Sequence, residues 1–119
     1  MLISDLKNCN EFIAGDGTVL RELLHPEKSD LNLRYSLAHA VVKPGLESQP
    51  HYMKTSEVYY ILEGEGIMNI EGESSAVKGG QAIYIPPHAV QSIKNTGATD
   101  LKFLCIVDPA WRVEDEVIL

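Results

Sequence analysis

Apolar residues recur at alternate positions along most of this chain, in short runs separated by turn residues, and no helical period is sustained, although residues 1–12 have some helical spacing. From Leu33 to Lys43, Ser36, Ala38, Ala40 and Val42 fall on one side of a strand, with Tyr35, Leu37, His39 and Val41 on the other. The small residues of the first set suit a tapering barrel interior, which turns His39 outward. Further strands are predicted at TVLRELL (Thr18 to Leu24), where a short helix is the alternative, and at HYM, EVYYILE, IMNI, SSAVK, AIYIP, VQSIKN and LKFLCIV. Turns are predicted at Gly15-Asp16-Gly17, His25 to Asp30, Gly64 to Gly66, Glu71-Gly72-Glu73, Lys78-Gly79-Gly80, Pro86-Pro87 and Asn95-Thr96-Gly97. Such punctuation, about every 8 to 12 residues, predicts an all-β sandwich or barrel, in which closure or sheet stacking hides the strand edges. The strands read as a meander, with a hairpin at Gly64 to Gly66.

With 119 residues the chain forms one domain, 1–119, large enough to need no disulfide or metal staple. Residues 1–17 read as an arm or edge strand and 108–119 as a tail. Trp111 and Val117-Ile118-Leu119 in that tail need apolar cover, as a lid over the barrel or as a strand exchanged with a second subunit.

Composition narrows the partners. A net charge of -7 works against phosphate-backbone binding, so nucleic acid is not an expected partner. No apolar run approaches the roughly 20 residues that span a bilayer, and Asp5 and Lys7 interrupt the start where a signal peptide needs an apolar core. A cytoplasmic protein without membrane contact is expected. Cys9 and Cys105 are far apart and form no metal-binding pair; Cys105 shares a face with Leu101, Phe103 and Val107 and reads as a buried thiol.

The residues able to carry chemistry fall in two spaced blocks. The first runs Gly45, His51, Met53, Glu57, Gly64; the second runs Gly80, Pro86, His88, Gln91, Asn95. Period two gives His51 and Met53 one orientation, and Glu57, Tyr59 and Ile61 another shared face. A carboxylate inside an apolar barrel is costly unless it holds a metal, pairs with a cation or keeps a proton, which singles out Glu57.

These blocks resemble the two motifs of the cupin superfamily, small jelly-roll barrels built as a double-stranded β-helix. The family pattern, Gly, five residues, His-x-His, three or four residues, Glu, six residues, Gly, is met at Gly45, His51, Glu57 and Gly64, with Met53 replacing the second His. The second pattern, Gly, five residues, Pro-x-Gly, two residues, His, three residues, Asn, is met at Gly80, Pro86 and Asn95. There His88 replaces the Gly and Gln91 the His. The resemblance covers about residues 33–107, and the Pro-Ala-Trp after the last strand is similar to small cupins of a sugar-isomerase-like kind.

What the resemblance implies is a divalent metal ion, one of Mn, Fe, Ni, Zn or Cu, at His51, Met53, Glu57 and Gln91. A thioether and an amide are poor substitutes for imidazole with such ions, and a further imidazole would have to come from His88, His39 or His25. Glu57, His88 and Tyr59 are the candidates for acid-base chemistry. Met53 also reads as gap-filling core, and His88 as a solvated turn residue. Two functions follow. One is a metal-dependent enzyme, isomerase-like or dioxygenase-like, acting on a polar small molecule in the barrel. The other is a metal-free cupin that binds a small ligand or serves as a structural module. A homodimer is expected from the apolar tail and from the frequency of dimers among cupins.

Overall fold

The structure, a computed structural model, describes residues 1–119 and contains eleven strands. They are β1 (Glu11–Ile13), β2 (Val19–Leu24), β3 (Ser36–Val42), β4 (His51–Met53), β5 (Ser56–Glu63), β6 (Glu65–Ile70), β7 (Glu73–Lys78), β8 (Ala82–Ile85), β9 (Gln91–Asn95), β10 (Leu101–Asp108) and β11 (Glu116–Ile118). Two antiparallel sheets face each other, in the orders β1-β2-β3-β10-β5-β8 and β11-β4-β9-β6-β7. This is the predicted all-β jelly roll. No helix is long and apolar enough to cross a membrane.

Alternation places the core. Along β10, Leu101, Phe103, Cys105 and Val107 are buried and the residues between them half-buried, as expected of a central strand with one face on the interior. Phe103 and Leu101 meet Ile61 of β5, Ala40 and Val42 of β3, and Met68, Val77 and Ile93 from the opposite sheet in one apolar cluster. Ser36, Ala38, Ala40 and Val42 do face inward. His39 lies on the outer side of β3, as predicted, yet it is only 9% exposed.

The connectivity departs from a meander. β5 and β6 are adjacent in sequence but belong to different sheets, so Gly64 to Gly66 makes a crossing and not a hairpin. Gly64 sits at φ +92°, and a Cβ there would lie 2.8 Å from the carbonyl oxygen of Asp100. Only glycine lets the chain turn this tightly against β10. The true hairpin of this region joins β6 to β7 through Glu71 and Gly72, both at positive φ.

The termini complete the barrel. β1 pairs with β2, so the six-stranded sheet starts at Glu11, well before residue 33. β11 pairs with β4 of the same chain, and Leu119 N–H donates to the Pro50 carbonyl at 3.0 Å. The tail therefore pairs with its own barrel as a lid, although Trp111, Ile118 and Leu119 remain 36%, 36% and 58% exposed.

Candidate functional site

Several motif residues turn out to hold the fold. Asn95, 1% exposed, donates through Nδ2 to the carbonyls of Val42 and Thr99, each at 2.8 Å, while its Oδ1 accepts from Gly97 N–H. One side chain thus clasps β9, the end of β3 and the turn before β10. Ser48 Oγ likewise accepts from the Ile93 N–H at 2.9 Å. His88, at the motif's glycine position, has φ +66°, the left-handed conformation that glycine adopts without strain. Its side chain is exposed beside Tyr52, with ring centroids 6.0 Å apart, and lies outside the cavity described next.

A cavity of about 390 Å³ opens between the sheets under the arm and the tail. His51 of β4 and Glu57 and Tyr59 of β5 reach it from the motif-bearing strands. Phe103 and Cys105 of β10 form part of its wall. Residues outside both motifs, among them Phe12, Asp16, Trp111 and Glu116, complete its lining. A wider cleft of about 660 Å³ lies between β7 and β8, away from these groups.

The polar groups of the cavity are positioned by short local contacts. Glu57, 7% exposed, accepts from Gln91 Nε2 at 2.9 Å through Oε1. Burial pushes its carboxyl up to about 8; the Gln91 hydrogen bond opposes this, and the neighbouring charges of Asp16 and Glu116 reinforce it. Glu57 is thus a protonated acid over much of the neutral range. His51 donates from Nδ1 to the Gln49 carbonyl at 2.8 Å, which leaves Nε2 facing Asp16 Oδ2 at 3.6 Å. Asp16 is fixed by its own turn, its Oδ1 accepting from Thr18 N–H at 3.0 Å and from Thr18 Oγ1 at 2.7 Å. Tyr59 keeps its proton because burial raises its pKa well above the ordinary phenol value.

The four positions implied to bind metal do not form a matching donor set. Met53 is packed away at 3% exposure, and neither it nor Gln91 lines the cavity. Gln91 spends its amide on Glu57, and its Oε1 is buried without a partner. A half-turn of that amide would let a protonated Glu57 donate to this oxygen, so the pair satisfies itself without a cation. No replacement imidazole arrives. His25 lies between the Trp111 carbonyl, 2.7 Å from its Nε2, and the Glu27 N–H, which donates to its Nδ1. His39 is on the outer face and His88 on the surface. No group of three His, Cys, Asp or Glu side chains converges on one point. One imidazole and one carboxyl, with a thioether and an amide beside them, do not fit a divalent ion of the implied kind.

Comparison with known proteins settles the family. The model of the cupin domain matches residues 38–107. The chain is a cupin. Over 109 residues this cupin is 44% identical to an uncharacterized protein of Methanocaldococcus jannaschii, covering 91% of this chain and 86% of that one. It is 41% identical over 51 residues to an oxalate-binding protein of Thermotoga maritima, 43% of this chain and 42% of that protein. A predicted oxalate decarboxylase from the same organism superimposes on the cupin with a TM-score of 0.80 at 24% identity, over 91% of this chain and 99% of the other, a likeness of fold.

Asp16, Glu116 and Trp111 were not read from the sequence as site residues. Asp16 stands in a Gly-Asp-Gly turn and Glu116 in a tail, and neither setting by itself marks a cavity. The one available signal was Glu116 directly before the apolar Val117-Ile118-Leu119 at the end of a tail that had to fold back.

Proposed function

We propose that this cupin binds a small organic molecule in the arm-and-tail cavity and does so without a resident metal. The ligand packs against Tyr59, Phe103 and Trp111 and meets Glu57 and His51 as its hydrogen-bonding partners. A carboxyl that keeps its proton near neutrality can donate to a ligand oxygen or nitrogen, a role an ionised carboxylate cannot fill. The observation that carries the reading is the Gln91–Glu57 hydrogen bond, which ties together two of the four positions that the resemblance implies for an ion. Elemental analysis of protein purified without chelator should give less than about a tenth of an equivalent of Mn, Fe, Ni, Zn or Cu, before and after incubation with each. A stoichiometric ion that Glu57→Gln abolishes would overturn the reading. It would restore the metal-dependent isomerase-like or dioxygenase-like enzyme implied by the resemblance.

We further propose that a second copy covers the outer face of the six-stranded sheet. Tyr60, Leu62 and Tyr84 are 41%, 43% and 64% exposed there. Apolar side chains clustered on an open sheet face mark an interface more often than a solvated surface. The bordering charges, Lys102 and Glu63, already pair at 3.0 Å, so two copies can meet on this face despite a net charge of -7 each. Sedimentation should give about twice the 13.2 kDa chain mass, and Tyr84→Glu should return it to one. A monomeric parent protein would sink the proposal.

A further inference from the structure

The charges around the cavity are one-sided. Asp16 and Glu116 line it, as does Glu57 with its proton kept, while no lysine or arginine does and His51 is the only basic side chain that does. Glu22 also reaches the rim, but Lys28 Nζ is held against it at 2.6 Å, which cancels its charge. Glu116 is oriented by Trp111, whose Nε1–H donates to its Oε2 at 2.9 Å. Its Oε1 packs close to Gly15, where any Cβ would come within 2.8 Å. An alanine at residue 15 would therefore displace the carboxylate.

Two further features show a site and not merely an acidic surface. Glu57, 7% exposed, has only Oε1 hydrogen-bonded, and His51, 3% exposed, has no hydrogen bond at Nε2; both side chains border the cavity. His51 Nε2 stands 3.6 Å from Asp16 Oδ2, and both it and the free oxygen of Glu57 can hydrogen-bond a molecule that enters the cavity. The walls around them are aromatic: Tyr59 and Phe103 pack with centroids 4.5 Å apart, and Phe12 and Trp111 flank the entrance.

From these observations, we propose that the cavity takes a small organic cation, a protonated amine carried on an apolar and preferably aromatic body. The inference rests on the reading of the barrel as a metal-free small-molecule site and specifies its ligand class. Asp16 and Glu116 in the lining attract an ammonium group and repel a carboxylate or phosphate. The aromatic rings accept both the apolar body and, through their faces, the positive charge. An oxalate-like dianion would enter with no arginine or lysine to receive it, so this cavity differs in kind from one built for the anion named for the Thermotoga relative.

The test uses four probes on the full chain: phenethylamine, 2-phenylethanol, phenylacetate and oxalate. Trp111, the only tryptophan, borders the cavity and reports occupancy by fluorescence, with calorimetry as the second readout. Phenethylamine is expected to bind about tenfold or more tighter than 2-phenylethanol, with no binding of either anion at about millimolar concentration. Glu116→Gln keeps the Trp111 hydrogen bond, and Asp16→Asn keeps the Thr18 contacts. Each should weaken phenethylamine by roughly tenfold and leave 2-phenylethanol unchanged. Equal binding of the amine and the alcohol overturns the ligand class while leaving the cavity as a small-molecule site. Binding of phenylacetate or oxalate as tight as that of the amine does the same, and oxalate binding that requires added Mn overturns the metal-free reading as well. If none of the four binds, the cavity is not a site for molecules of this size and both proposals fall.

Discussion

Glu57→Gln is expected to stabilise the protein in alkali and to remove a large part of its pH dependence. In the unfolded chain this carboxyl titrates near 4.5, and in the folded barrel near 8. Between those values the folded state holds a proton that the unfolded state has released. Stability from this group is therefore complete below about pH 4.5, declines as pH rises, and is lost once pH passes about 8. At roughly 1.4 kcal/mol per pH unit, the whole decline is on the order of 3–5 kcal/mol. Glutamine keeps the shape and the acceptor for Gln91 Nε2 and cannot ionise, so the variant should match the parent near pH 4 and exceed it above pH 8. Denaturant titrations at pH 4, 6, 7.5 and 9 measure the difference, in which other titrating groups cancel. Parallel curves for the two proteins would mean that Glu57 is ionised in the fold, and the account of its environment would be wrong.

Phe103→Ala should be the most damaging single truncation of the interior. Phe103 is 1% exposed, packs on Tyr59 at 4.5 Å and belongs to the cluster that joins both sheets. Removing a ring from such a position costs about 3–5 kcal/mol, partly in lost transfer energy and partly in the cavity left behind. At about 4 °C per kcal/mol for a chain of this length, the melting midpoint should fall by roughly 12–20 °C. Ile67→Ala on β6, 37% exposed, is the control and should cost less than about 1 kcal/mol. A Phe103→Ala protein within about 1 kcal/mol of the parent would show that the ring does not hold the two sheets together. Because Phe103 also forms part of the cavity wall, the same substitution should weaken binding of any aromatic ligand.

Much of the barrel was legible as pattern. Alternation along Ser36 to Val42 and Leu101 to Val107 assigned the inward faces, and the spacing from Gly45 to Asn95 named the family. Strand pairing was less legible: a meander was read where β5 and β6 enter opposite sheets. Local periodicity states which face of a strand is buried and carries no information about its neighbour. The implied metal positions were legible only as positions. Donor chemistry at Met53 and Gln91 argued against an ion, yet the hydrogen bond from Gln91 Nε2 to Glu57 Oε1 joins residues 34 apart in sequence, and no spacing rule predicts it.

What the sequence determined by itself is the architecture and one wall of the cavity, because both depend on side-chain alternation and on glycines at conformations other residues avoid. The tertiary structure alone decided the rest of the cavity. Asp16 from the arm and Trp111 and Glu116 from the tail come to line it through β1–β2 and β11–β4 pairing between segments remote in sequence. Backbone hydrogen bonds between such segments depend on their meeting in space, so the charge around the cavity became readable only after the chain had closed on itself.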